Sequence, residues 1–205
     1  MPSRLPKNVI FDVGNVLLAW DPRALVRRFA DGSAQEAIQH GIFLHHNWLE
    51  LDRGDLEEEQ AVTMFSARLA LPAGEIRDLM LAAKVSLTPM PDSISYLDEL
   101  SASGASLYCI TNMARSTFEF VRRRYSFWER FKDIVVSADV RMVKPDPKIY
   151  RHALSKFGID ARETLFLDDK DENVEGARAV GLEAVKFTSA AELRARFPMT
   201  RAHHA

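Results

Sequence analysis

Asp12, Thr111, Lys144 and the pair Asp168-Asp169 each follow an apolar run, namely VIF, LYCI, VVSADVRMV and LFL. A carboxylate at the tip of an apolar segment can attack phosphorus as a nucleophile. Gly14, two residues beyond Asp12, lets the backbone come close to a bound group. The Thr111 hydroxyl can donate to a phosphate oxygen, and a fixed ammonium at Lys144 can neutralise charge on a transferring phosphoryl group. Two adjacent acids at one strand end repel each other unless a cation compensates them. Donor sets made only of oxygen favour magnesium over zinc. Two carboxylate groups, a hydroxyl and an ammonium gathered on one spot therefore suit magnesium and a phosphate. Taken singly, each residue also has an ordinary reading. Asp12 fits a turn or cap, Thr111-Asn112 fits turn chemistry, Lys144 fits a solvated surface, and Asp168-Asp169 fits a polar turn into a helix.

What must position them is a parallel sheet. Apolar runs with polar ends read as its buried strands, and ligands bind beyond the carboxyl ends of such strands. Strands are expected at 9–11, 107–110, 134–136, 164–167 and 184–187. From Thr88-Pro89-Met90-Pro91 onward, strands alternate with helices. One helix is opened by Asp92 and ends at Gly104; others are expected at 114–125, 147–157 and 173–180. Asp146 serves as N-cap to Pro147. This alternation signifies a right-handed parallel α/β sheet.

Between the first strand and that alternation the pattern is helical, with no strand expected. Asp21-Pro22 pairs an N-cap with a first-turn proline. Ser33 with Glu36 and Asp55 with Glu58 carry capping signatures, and Gly74 precedes a fourth helix. A helical block inserted there would sit over the carboxyl edge of the sheet, where a lid belongs. The expected division is a core of residues 1–17 and 89–205 with a helical cap of 18–88.

Composition narrows the classes. A chain of 205 residues with 47% hydrophobic and 27% charged residues supports a sizeable globular core. A net charge of −2 gives no footing for nucleic acid or an anionic membrane surface. No run approaches the ~18 apolar residues of a membrane span. Arg4 and Lys7 precede the apolar stretch 9–20, but Asp12 and Asn15 interrupt it, so it does not read as a signal peptide. Cys109 is the only cysteine and lies in an apolar strand, which reads as a core thiol in a reducing cytoplasm. The tail 201–205 follows Pro198 and is expected to fray, with His203 and His204 solvated.

In order, the segments FDVGNVLL, CITN, VKPDPKIY and FLDDKDENVEGA resemble the four motifs of the haloacid dehalogenase-like hydrolase superfamily. The resemblance covers nearly the whole chain. It implies an α/β fold, a Rossmann-like parallel sheet core with an inserted all-helical cap domain. Within the superfamily, the chain looks most like the subgroup containing bacterial glucose-1-phosphate phosphatase and the amino-terminal phosphatase domain of epoxide hydrolase. The implied activity is magnesium-dependent hydrolysis of a small phosphorylated metabolite, such as a sugar phosphate, through an aspartyl phosphate on Asp12. The resemblance further implies that Asp12, the Gly14 carbonyl and Asp169 hold Mg2+. Asp168 and Asn173 would support that shell, while Thr111, Asn112 and Lys144 bind phosphoryl oxygens.

Most phosphatases of this superfamily carry a second Asp two residues after the nucleophile, as general acid and base. Here that position is Gly14, which cannot move a proton; such a group is ordinarily worth about 10²–10⁴ in rate. His45 and His46 in the lid are alternative donors. Trp20, His45, His46, Trp48, Asp52 and Arg53 are the candidate substrate contacts. Two other readings stay open. A 2-haloacid dehalogenase would use Asp12, Lys144 and Tyr150, although dehalogenases lack the metal-binding acid pair. A binding protein with a retained pocket and little turnover is motivated by Gly14.

Overall fold

The computed structural model describes residues 6–198; Arg4 and the tail with His203 and His204 lie outside them. The central strand is β1 (Asn8–Phe11), with β2 (Leu18–Ala19), β3 (Thr88–Pro89), β4 (Ser106–Thr111), β5 (Asp133–Val136), β6 (Thr164–Asp168) and β7 (Glu183–Lys186) following. Five of these form a parallel sheet in the order β5-β4-β1-β6-β7. Alternate side chains bury on opposite faces. Val9, Phe11, Leu107, Cys109, Leu165 and Leu167 enter one cluster, while Ile10, Tyr108, Ile110 and Phe166 enter the other. Burial on both faces is why these strands are apolar runs rather than alternating ones. The register sets Phe11 against both Cys109 and Leu167, so the carboxyl tips of β4, β1 and β6 lie side by side. Burial pushes the Cys109 thiol well above its ordinary range, as for an inert core thiol.

Eleven helices are described: α1 (Pro22–Val26), α2 (Ser33–Ile38), α3 (His46–Arg53), α4 (Glu58–Leu69), α5 (Ala73–Ser86), α6 (Pro91–Ala102), α7 (Arg115–Arg124), α8 (Ser137–Val140), α9 (Pro147–Phe157), α10 (Asp171–Arg178) and α11 (Ala190–Arg196). Residues of α6, α7 and α11 pack on one face of the sheet, and those of α9 and α10 on the other. The helices α1 to α5 bury a cluster of their own around Val26, Ile42, Leu51, Phe65, Ile76 and Met80. No described helix is long and apolar enough to cross a membrane.

Several local expectations are corrected. The segment expected to lack strands begins in β2, which pairs antiparallel with β3 and ties the two ends of the helical block together. Pairs this short carry no periodicity to read. Helix α4 starts at Glu58, capped by Glu57 and Gln60 rather than by Asp55, because Glu57 is extended and Gln60 reaches back to its amide. Ser33 lies inside α2, whose N-cap is Gly32 at φ 54, so its hydroxyl makes no cap. A π-helical turn, Gln39–Phe43, joins α2 towards α3.

Candidate active site

Because β1 is flanked by β4 and β6, the residues just past their tips share one crevice. Asp12 anchors itself there by donating its amide to the Leu167 carbonyl at 2.8 Å. Lys144 lies between two acids, with Nζ 2.6 Å from Asp12 Oδ1 and 2.6 Å from Asp168 Oδ2. Asn112 fixes that lysine: its Oδ1 accepts from the Lys144 amide at 2.8 Å and its Nδ2 donates to the Lys144 carbonyl at 2.9 Å. The Asn112 carboxamide is therefore engaged in holding Lys144, and Asn112 itself lines the crevice. Thr111, fully buried at the tip of β4, lines the crevice as expected.

Asp168 has both oxygens committed. Its Oδ1 accepts from the Lys170 amide and from Asn173 Nδ2 at 3.0 and 2.9 Å, and its Oδ2 meets Lys144. The Asn173 carbonyl in turn accepts from the Tyr150 hydroxyl at 2.8 Å. Asp169 is less encumbered, receiving Asn15 Nδ2 at 3.3 Å. Asn15, at φ 53, also accepts the Trp20 amide on its Oδ1 at 2.9 Å. Sequence reasoning missed Asn15. Its adjacency to Gly14 and the tolerance of Asn for left-handed backbone were the available signals.

Oxygens of Asp12, Asp168 and Asp169 all lie within 4.8 Å of one another. Three carboxylates gather around the Lys144 ammonium, and Lys170 borders the same cavity, so acids outnumber cations. Burial, with Asp168 adding to it, pushes the Asp12 carboxyl up to about 7 against the pull of Lys144. Burial also raises Asp169. Burial works against the Lys144 ammonium, but Asp12 and Asp168 together hold it above its ordinary range. A hard oxygen donor set with an excess of acids fits a hard divalent cation. The Gly14 backbone borders the same space.

A cavity of ≈ 690 Å³ opens in front of Asp12 beneath the helical block. Trp20, His45, His46, Trp48 and Asp52 line it, as the sequence led us to expect. Arg53 does not: it ends α3, and its guanidinium pairs with Asp55 at 3.3 Å. Met80, Leu87 and Met113 also line the cavity and were not foreseen, since nothing distinguishes them in sequence from core residues.

Asp52 joins the helical block to the sheet. Its Oδ1 accepts the Ala114 amide at 3.1 Å at the start of α7, and its carbonyl accepts from Ser137 Oγ. Ser137 Oγ accepts the Met113 amide at 2.9 Å. Burial pushes the Asp52 carboxyl up to about 7, the Ala114 amide and Lys170 opposing and Asp12 adding. His45 caps α3 by accepting the Asn47 amide on Nδ1 at 3.3 Å, and burial lowers its proton affinity, helped by Arg68 and His46.

Residues 6–181 match the family model for haloacid dehalogenase-like hydrolases. The sesquiterpene phosphatase astK of Aspergillus oryzae is 32% identical over 182 residues, spanning 89% of this chain and 90% of the relative. A solved dehalogenase with an intermediate complex overlays at a TM-score of 0.75 with 18% identity, covering 97% of this chain and 100% of that one. A family enzyme of Bacteroides thetaiotaomicron, solved with magnesium and inorganic phosphate, overlays at 0.73 with 20% identity, covering 90% and 95%. At those identities the two structures show a shared fold. The model match and the Aspergillus relative show more: the chain belongs to the haloacid dehalogenase-like hydrolases.

Proposed function

We propose that the protein is a phosphomonoester hydrolase with Asp12 as its nucleophile. The observation that carries this is the Asp12–Lys144–Asp168 arrangement at the floor of the cavity, with Asp169 beside it. Asp12, Asp169 and the Gly14 carbonyl would hold Mg2+, with Asp168 and Asn173 supporting them. Bound there, the cation supplies charge that keeps Asp12 ionised and draws phosphoryl oxygens toward it. The Aspergillus relative being a phosphatase supports phosphorus over carbon as the centre attacked. The acid pair argues against the dehalogenase reading, because buried carboxylates in that number need a cation.

In this account an Asp12 oxygen attacks phosphorus and the bond from phosphorus to the ester oxygen breaks. Lys144 steadies the transferring group, and Thr111 donates to one of its oxygens. Gly14 has no proton to give. Asp52 borders the same cavity and is partly protonated at neutral pH, so it passes its proton to the leaving oxygen. Water then attacks the aspartyl phosphate, Asp52 takes up the water's proton, and inorganic phosphate leaves with Asp12 restored. His45 is a poorer donor, its proton affinity lowered by burial and its Nδ1 tied to its helix cap.

Phosphate release from p-nitrophenyl phosphate tests the proposal. We expect turnover with magnesium, loss on chelation with EDTA, and a fall of at least about 10³-fold in Asp12→Asn. Undiminished activity in that variant would remove Asp12 as nucleophile.

A further inference from the structure

The cavity is far larger than a phosphate needs, and its walls differ from its floor. At ≈ 690 Å³ it falls within the range of sites that enclose a drug-sized molecule. Acid, ammonium and hydroxyl groups gather at the floor. Above them Trp20 and Trp48 stack with ring centroids 6.0 Å apart and 13° between planes. Phe43 closes against them at 5.8 and 4.8 Å. Two leucines that line the cavity, Leu44 and Leu49, stay 62% and 41% exposed, an apolar rim without a partner.

Several polar groups set in the walls are already occupied, although His46, Thr117 and Lys170 also line the cavity. Lys84 pairs with Glu58 at 2.6 Å, Asp52 accepts the Ala114 amide, and His45 Nδ1 accepts the Asn47 amide. Along the aromatic part of the wall a ligand rich in hydroxyls would give up water and find few partners, which weakens binding. Apolar surface meets no such penalty. Asn15 also fixes wall to floor, because its two side-chain ends hold Asp169 and the Trp20 backbone. A phosphoryl group seated at Asp12 thus leaves the rest of its molecule facing the aromatic wall.

We infer that the substrate is an amphiphile: one phosphoryl group on an extended apolar chain or ring system with few hydroxyls, its apolar part lying against Trp20, Phe43 and Trp48. The inference rests on the phosphatase reading and names the substrate class for the same site. A sugar phosphate, the expectation from sequence, suits the floor and not the wall.

Normal alkyl phosphates from butyl to decyl, compared with glucose 1-phosphate, test it on the full chain. Two quantities are measured: kcat/KM for phosphate release, and affinity of Asp12→Asn for each ester by tryptophan fluorescence. Both should rise about three- to fourfold per added methylene, the ~0.8 kcal/mol of a buried CH₂. Trp48→Ala should flatten that slope, and glucose 1-phosphate should trail decyl phosphate by at least about 100-fold. Affinity independent of chain length, or preference for glucose 1-phosphate, overturns the amphiphile assignment while released phosphate leaves the hydrolase reading intact. Affinity that climbs with chain length while no ester releases phosphate upholds the assignment and ends the hydrolase reading.

Discussion

Lys144 bridges two carboxylates whose circumstances set their duties. Asp168 has every oxygen committed, so it anchors the lysine. Asp12 gives Lys144 one oxygen and borders the cavity, so it can react. Asp52 is the second reactive carboxyl, and its half-buried position makes it separately testable. Unfolded, it ionises near 3.8; folded, near 7. Between those values the folded state keeps a proton that the unfolded state has lost, so stability declines as pH rises. Asp52→Asn keeps an oxygen for the Ala114 amide and removes the titration. Denaturant unfolding at pH 5 and pH 8 should show a smaller decline in the variant, by at most about 2.6 kcal/mol. The same variant should lose about 10²–10⁴-fold in kcat on alkyl phosphates and much less on p-nitrophenyl phosphate, whose leaving group needs little proton help. An unchanged pH dependence of stability would mean that Asp52 is ionised in the fold. Asp12 and Asp168 were legible in the sequence because each terminates a strand or lies just past one, and Lys144 because it closes the longer apolar run that begins in β5. The Asn112 clasp on Lys144 and the part of Asn15 were unseen because a carboxamide's duty depends on which atoms it meets, and spacing does not encode that.

At the scale of elements, the parallel sheet was legible because two-faced burial writes each strand as an apolar run. The register then brings tips from residues 12, 111 and 168 together. The helical block was legible as helices but not in its joints. Its root is the two-residue pair β2–β3, and its contact with the sheet runs through Gly54 and Ala138. Gly54 ends α3 in the left-handed region, at φ 80, and a Cβ there would collide with the Ala138 carbonyl. Gly54→Ala should therefore cost about 2 kcal/mol or more, lowering Tm by roughly 4–8 °C. It should also raise KM, since Asp52 two residues earlier loses its seat on α7. A variant with unaltered Tm by calorimetry would show that the α3–α8 contact yields freely.

For the molecule as a whole, the sheet supplies the charged floor and the helical block supplies most of the apolar walls, and neither encloses the cavity alone. The charge deficit at the floor has a global consequence, because a cation that binds the folded chain and not the unfolded one stabilises it. Magnesium at about 100 times its Kd should add ~2.7 kcal/mol and raise Tm by roughly 5–10 °C, and Asp169→Asn should abolish most of that gain. Thermal unfolding indifferent to magnesium would contradict the cation site. The central claim concerns a bond formed on one side chain. Acid-quenching the protein during turnover of p-nitrophenyl phosphate, then mapping its peptides by mass spectrometry, should find one phosphoryl group on the peptide carrying Asp12 and none in Asp12→Asn. Phosphate released at full rate with no phosphoryl group trapped on that peptide, or with the label on a different residue, would contradict it.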